Sequence, residues 1–335
     1  MNIEEVEILI VGAGMAGLMA AESLSASRHQ VLVLEQALHV GGRMATSAIG
    51  SDLADTGAQF FTARSAAFQA CVRAWLAQGL VFQWGQGWAT EGTADPVEDG
   101  YPRYAVHGGM RALPEQLARG LNVRAGVTLA SVTAVAGGWQ AVDTDSRAYF
   151  ARALVLTPPV PQSLALLAAG KISLAAADQA ALARITYAPC LTGLFLINGE
   201  AHLPRPGALL KQDAPIFWIG DNRRKGLSSQ TLITAHAGPA FSERYWNAPQ
   251  GEVLEAMLSH IRPFLAAGAG VGEARLLRWP YTLPLTLHPR RCLLAAGLPP
   301  LAFAGDAFAG PRVEGSALSG LAAAAAVSAA LAKRK

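Results

Sequence analysis

Cysteine and charge are both scarce in this chain. Its three cysteines, Cys71, Cys190 and Cys292, lie far apart in 335 residues, with no C-x-x-C pair. That spacing excludes a disulfide framework and a zinc ribbon, and it fits reduced thiols in a cytoplasmic protein. Only 15% of residues are charged against 52% hydrophobic, which excludes a disordered polyelectrolyte. The net charge is +3, and the densest basic run is Arg223-Arg224-Lys225. Three charges do not track a phosphate backbone, so no nucleic acid is expected as a partner. Ser/His/Asp and metal-ligand spacings are missing too, so neither a hydrolytic triad nor a metal site is expected. No charged-then-apolar leader precedes the first apolar run, and a secretory signal is therefore not expected.

One stretch, 316–332, is nearly free of charge and approaches the length of a membrane span. Ala and Ser dominate it in place of Leu, Ile and Phe, so entry into lipid would gain little. The expectation is a buried helix of a soluble protein, with no membrane partner.

What is present has the order of an α/β protein. A chain of this length divides into about two domains. Residues 6–11 form a short apolar run ending in Gly12, 16–25 have helical spacing, and 31–34 form a second apolar run. This is a βαβ unit of normal length with buried parallel strands. Further helices are expected at 66–78, from Gly109 through Leu117, at 175–185 and at 253–264. Short antiparallel strands are expected within 84–104, and longer ones at 123–136 and 139–144 around the Gly137-Gly138 turn. Apolar or alternating runs at 153–157, 191–197, 216–220, 231–237 and 301–304 read as strands. The first and last segments look like parts of one nucleotide-binding sheet. The expected organisation is a Rossmann-type domain of residues 1–61, 106–159 and 291–335, with an inserted mixed-sheet (α+β) substrate domain of residues 62–105 and 160–290.

Gly12-x-Gly14-x-x-Gly17 lies between the first strand and the first helix. The first glycine makes the tight turn, the second lets a pyrophosphate approach the backbone, and the third lets helix and strand pack closely. The helix start at Met15 and Ala16 offers free N–H groups to the phosphates. Glu35 ends the second strand, followed by Gln36, where a carboxylate accepts hydrogen bonds from a ribose 2′-OH. To this point the dinucleotide is NAD or FAD. Gly41-Gly42-Arg43-Met44 and Asp55-x-Gly57-Ala58-Gln59-Phe60 then place backbone and a cation for a pyrophosphate and a ribityl chain. Gly305-Asp306 follows a late strand, where the carboxylate can bond a ribityl hydroxyl. The helix opened by Arg312-Val313-Glu314-Gly315-Ser316-Ala317 would aim its positive end at the pyrimidine side of a flavin.

Together these motifs match the FAD-binding pattern of the amine oxidase superfamily, and within it the chain resembles renalase and its bacterial relatives. The closer likeness rests on Val11-Gly12-Ala13-Gly14-Met15, Gly41-Gly42-Arg43-Met44 and Gly57-Ala58-Gln59-Phe60. Leu156-Thr157-Pro158-Pro159-Val160-Pro161 and Asp221-Asn222-Arg223-Arg224-Lys225 add to it. The resemblance extends along nearly the whole chain. It implies non-covalent FAD, held by the residues above together with Val127 and Thr157. It also implies a flavin oxidase that takes a hydride from off-pathway dihydro isomers of NAD(P)H and gives hydrogen peroxide from O2. No second G-x-G-x-x-G is present for a separate NADPH site. The expected state is a monomer or weak homodimer.

The substrate face is expected on the inserted domain, with Trp218, Trp279, Tyr281, His236 and Asn222 as candidates. Gln59 is expected beneath the isoalloxazine edge. If the substrate is itself a dinucleotide, Arg223-Arg224-Lys225 would contact its phosphates. Three functions stay open: the dihydropyridine oxidase, an oxidase of amines or another substrate on the same fold, and a flavin-binding protein without catalysis.

Overall fold

The computed structural model describes residues 3–90 and 97–333. It divides into two compact units, Met1–Gly42, Pro114–Tyr187 and Pro284–Lys335 in one, Arg43–Leu113 and Ala188–Leu283 in the other.

The first unit is built on a sheet running Leu293–Leu294, Leu301–Phe303, Ala148–Leu156, Ile3–Val11, Val31–Glu35, Val123–Ala125. The four pairings from Leu301–Phe303 to Val123–Ala125 are parallel. All five residues of Val31–Glu35 are buried, as the unbroken apolar run requires of a strand covered on both faces. Ile8, Ile10, Val33 and Val155 meet the Met15–Ala26 and Arg312–Ala332 helices on one face. Leu9, Leu32, Leu154 and Leu156 meet Trp139, Leu167 and Leu182 on the other. The Arg312–Ala332 helix is long and apolar enough to cross a membrane. In this unit one side of it, including Ala323, Ala324, Val327 and Leu331, is core. A Cβ on Gly320 would lie 2.1 Å from the Ala16 carbonyl oxygen, so glycine lets the two helices touch backbone to backbone.

The second unit has a five-stranded sheet ordered Ala208–Leu210, Ile216–Asp221, Thr231–Ala237, Tyr187–Asn198, Gly270–Pro284. One face buries Phe195, Ile219, Ile233 and Ala235 against Val253, Met257 and Ile261 of the Gln250–Ile261 helix. The other face carries Leu194 and Leu232 under Ile49 and Ala54 of the Thr46–Ile49/Asp52–Asp55 hairpin. Trp218 on this face packs with Trp84 and Trp88 of the Val81–Trp88 strand, which pairs with Val97–Val106.

The unit boundaries depart from the expected ones in four places, one being residues 106–113, which fall in the second unit. Residues 43–61 fall in the second unit, because the 46–55 hairpin buries Ile49 and Ala54 in its core. Residues 160–187 fall in the first, because the Val160–Ala169 and Ala176–Ala183 helices bury Leu167 and Leu182 against Val132. Residues 284–290 also belong to the first unit. Two long elements were not expected, the Val160–Ala169 helix directly after Pro158-Pro159 and the 15-residue Gly270–Pro284 strand. The expected 123–136 strand breaks into Val123–Ala125 and Leu129–Val135 around Gly126, whose φ is +75°.

Candidate functional site

In the first unit the three glycines of the fingerprint take three different geometries. Gly12 has φ +96°, and a Cβ there would meet Thr157 Oγ1 at 2.5 Å. On Gly17 a Cβ would fall 1.9 Å from the Gly12 carbonyl oxygen, which fixes the helix hard against the turn. On Gly14 a Cβ would meet nothing within 4 Å. Gly14 is also the N-cap and provides no side-chain acceptor, and the first turn holds no acidic residue. The first-turn N–H groups thus keep their partial positive charge for an anion.

Glu35 is buried, with Oε2 accepting from the Ala13 N–H at 2.7 Å and Oε1 from the Ala37 N–H at 2.8 Å. An ionised carboxylate has lone pairs left after two such bonds, so it can still take a ribose hydroxyl. Gly41 donates its N–H to the Ala13 carbonyl at 2.9 Å. Gly41 and Gly42 have φ +116° and +54°, and a Cβ on Gly42 would come 3.5 Å from the Gly14 Cα. Open backbone at Gly14, free first-turn donors and a carboxylate at the end of the second strand fit the adenosine and pyrophosphate of FAD.

The other residues expected around the cofactor in this unit divide by geometry. Met15, Ala16, Asp306 and Ala317 are buried, Gln36 is exposed, and Glu314 and Ser316 are half-buried. Val127 donates its N–H to the Glu35 carbonyl at 2.9 Å. Gly305, at φ +141°, donates to Ser319 Oγ at 2.8 Å, which ties the Gly305-Asp306 turn to the C-terminal helix. Ser316 Oγ is turned back on the Arg312 carbonyl. Thr157 is corrected: its hydroxyl donates to the Val11 carbonyl at 2.7 Å and props the Gly12 turn from beneath.

In the second unit the Asp55-x-Gly57-Ala58-Gln59-Phe60 segment is locked from several sides. Ala58 donates to the Arg43 carbonyl at 2.8 Å, and a Cβ on Gly57 would lie 2.0 Å from that oxygen. Arg43 Nη1 donates to the Thr282 carbonyl at 3.1 Å, and Met44 is buried. Gln59 Nε2 donates to the Asp55 and Gly57 carbonyls at 2.7 and 3.2 Å, so its amide braces its own loop. Phe60 packs against Trp88 and Trp218, with ring centroids 4.7 and 5.5 Å apart.

The basic turn behaves unlike its sequence. Arg223 and Arg224 are exposed, and Arg224 donates to the Leu203 carbonyl. Lys225 is buried, donates to Asp55 Oδ2 and to the Gln59 carbonyl, and sits 4.7 Å over the Trp84 ring. It therefore has no reach to a substrate phosphate, which corrects the three-cation reading. Burial pushes the Lys225 ammonium down from its ordinary pKa, and Asp55 opposes that push. Asp55 Oδ1 accepts from Thr46 Oγ1 at 2.6 Å and from the Met110 N–H at 2.7 Å.

Asn222 is corrected as a substrate contact. Its Oδ1 accepts from the Asp55 N–H at 3.1 Å, and its Nδ2 donates to the Leu232 carbonyl and Thr234 Oγ1 at 2.9 and 2.8 Å. These bonds commit the carboxamide to the fold. His236 stands directly across the ladder from both Thr192 and Trp218. Its Nδ1 is 2.8 Å from Thr192 Oγ1, and its Nε2 has no hydrogen-bond partner. Burial lowers its pKa to about 4, with Lys225 acting in the same sense and the Gly57 carbonyl against it. At neutral pH the ring is uncharged. Trp218 Nε1 and Trp279 Nε1 are buried without a partner as well.

Sequence reasoning missed Thr192, Trp84 and Trp88, and it assigned Asp55 to a cofactor motif and Lys225 to a substrate contact where the structure pairs the two in a buried ion pair. Trp84 and Trp88, four apart in a Gly-rich strand, were the one available signal. Nothing local separates Lys225 from the two arginines before it.

A family profile for the NAD(P)-binding Rossmann-like domain matches residues 10–78, and one for flavin containing amine oxidoreductase matches residues 63–328. The chain belongs to the flavin containing amine oxidoreductase family, a family of FAD-dependent oxidoreductases. Among curated relatives, a Mycobacterium tuberculosis protein provisionally named flavin-containing monoamine oxidase AofH is 46% identical over 55 residues. That segment is 16% of this chain and 12% of the relative. Among solved structures, cyclohexylamine oxidase from Brevibacterium oxydans matches 98% of this chain and 100% of its own at 15% identity, with a TM-score of 0.74. A cofactor-binding variant of putrescine oxidase matches the same shares at 14% identity, with a TM-score of 0.72. These likenesses show the fold.

Proposed function

We propose that the protein is a flavin-dependent oxidase that takes a hydride from a dihydropyridine ring, as renalase-like enzymes do from off-pathway dihydro isomers of NAD(P)H. FAD, when bound, supplies the hydride acceptor and the route for electrons to O2, giving hydrogen peroxide. In this reading Gly14 and the first turn at Met15 and Ala16 take the pyrophosphate, Glu35 takes the ribose, and Asp306 takes a ribityl hydroxyl. A cytoplasmic location belongs to the same proposal.

The supporting observation is the state of the titratable groups on the polar face of the second unit. His236 is held neutral, and Lys225 and Asp55 are spent on each other. A dihydropyridine becomes an aromatic pyridinium by losing a hydride, with no proton to remove, so position suffices. An ammonium must first lose a proton, and Asp55 is already committed to a cation. The indole cluster favours amine oxidation as a second reading, because aromatic faces attract cations.

Anaerobic bleaching of the bound flavin separates the two. The expected result is bleaching by isomeric dihydronicotinamides and none by primary or polyamines. Bleaching by amines alone overturns the first reading, and bleaching by neither leaves a flavin-binding protein without catalysis.

A further inference from the structure

Ser328, His29 and Glu7 of the first unit stand in a hydrogen-bonded row that the flavin reading does not use. His29 lies just past the C-terminal end of the Met15–Ala26 helix, at the opposite end from the glycine turn. Its Nδ1 is 2.9 Å from Glu7 Oε2, and its Nε2 is 2.9 Å from Ser328 Oγ. The partners are 22 and 299 positions from His29, so no spacing in the sequence reveals the row.

The order of the row dictates where the protons are. Burial pushes the Glu7 carboxyl up, but the His29 hydrogen bond and charge, the Gln30 N–H and Arg152 together hold it below its ordinary pKa. The carboxylate only accepts, so an uncharged imidazole carries its proton on Nδ1 and turns a bare Nε2 to the serine. Ser328 then donates its hydroxyl to the ring. Two other helical serines behave differently: Ser316 and Ser259 donate to the Arg312 and Ala256 carbonyls, the local bond open to any serine in a helix.

Solvent reaches the row. The His29 and Glu7 side chains are 15% and 17% exposed, and Ser328 is half-buried. Ala325 and Ala332, three before and four after Ser328, share its face of the helix and are exposed. Their methyl groups leave the approach to the hydroxyl open to a small molecule.

We infer that Ser328 is an acyl-accepting nucleophile, with His29 as its general base and Glu7 as the residue that positions the imidazole. The acyl donor is a small aryl ester. Ser328 Oγ bonds to the carbonyl carbon as the bond from that carbon to the aryl oxygen breaks. The hydroxyl proton passes to His29 Nε2 and from there to the departing phenolate. General-base assistance contributes about 10²–10⁴-fold. The amide N–H groups around Ser328 are spent inside the Arg312–Ala332 helix, so the helix backbone adds no oxyanion stabilisation. The serine ester has a poorer leaving group than the aryl ester, so water removes the acyl group slowly and it accumulates on Ser328. This inference stands apart from the hydride-transfer reading.

The test incubates the full-length, FAD-loaded protein with p-nitrophenyl acetate at neutral pH and follows acetylation site by site with peptide mass spectrometry. Ser259, exposed in the Gln250–Ile261 helix, is the internal control. Ser328 is expected to acetylate at least about 100-fold faster than Ser259. His29→Gln should bring Ser328 down to the control rate. Glu7→Gln turns an amide N–H to Nδ1 and should move the imidazole proton to Nε2, seen in 15N spectra of labelled histidine, with the same loss of rate. Equal rates at the two serines of the wild type overturn the inference, and that comparison requires no variant to fold. A Glu7→Gln protein whose imidazole proton moves while its rate holds overturns it as well. The row then serves only to tie the C-terminal helix to the Ile3–Val11 strand.

Discussion

Lys225 Nζ lies 2.6 Å from Asp55 Oδ2, with the two side chains 1% and 0% exposed. The pair joins residues 170 positions apart and holds the Asp55–Phe60 segment to the turn after the Ile216–Asp221 strand. Lys225→Met leaves Asp55 buried beside two neutral donors, and breaking such a pair costs about 3–5 kcal/mol. Urea unfolding should show a loss of that size. A loss below about 1 kcal/mol would mean the two groups do not act as a buried ion pair.

The fingerprint glycines predict a split between folding and cofactor retention. Gly14 has φ −76° and ψ −176°, which alanine adopts freely, and its Cβ would meet nothing within 4 Å. Gly14→Ala should keep the Tm within about 2 °C of the wild type yet weaken FAD binding at least about tenfold. Gly17→Ala drives a methyl into the Gly12 carbonyl and should lower both Tm and flavin content. Thermal unfolding and the flavin-to-protein absorbance ratio report the two effects.

His236 predicts acid sensitivity. Its pKa is about 4 in the fold against an ordinary 6.5, so the unfolded chain binds the proton first. The stability associated with the neutral ring is therefore fully present above about pH 6.5 and is lost as pH falls toward about 4. The slope approaches 1.4 kcal/mol per pH unit, for a total of about 3 kcal/mol. His236→Gln should flatten this part of the profile in denaturant titrations at pH 7, 5.5 and 4.5. Parallel profiles for the two proteins would remove His236 as the cause.

Gly320→Ala places a methyl 2.1 Å from the Ala16 carbonyl and must separate the two helices. A cost of about 1–3 kcal/mol is expected, with weaker flavin retention, because Ala16 lies in the turn that follows Gly14. Gly251→Ala is the control. It is also helical but meets nothing within 4 Å, and should be neutral or stabilising by up to about 1 kcal/mol.

The first βαβ unit was legible because neighbouring residues dictate it. The 31–34 run is apolar throughout, and Gly12 and Gly17 each answer a steric demand within a few positions or from beside a directly paired strand, while Gly14 leaves its backbone open. The polar face of the second unit was not legible. Whether Lys225 is buried depends on Asp55, and whether Asn222 is spent depends on the Asp55 N–H and Thr234. The Gly270–Pro284 strand escaped notice because most of its residues are exposed or half-exposed, which leaves no apolar alternation to read. The 43–61 boundary was misplaced for a related reason: Ile49 and Ala54 choose their core through Leu194 and Leu232, far along the chain.

The backbone contact at Gly320 also sets a schedule for biosynthesis. The Met15–Ala26 helix leaves the ribosome early, but Ala323, Ala324, Val327 and Leu331, which pack in the same core, follow about 300 residues later. At common elongation rates that delay is roughly 15–60 s, during which the apolar side of a nascent helix has no native cover. The Met15–Ala26 helix waits for its cover until the Arg312–Ala332 helix is made, so translation speed and chaperone access bear on the yield of the unit that carries the nucleotide cradle.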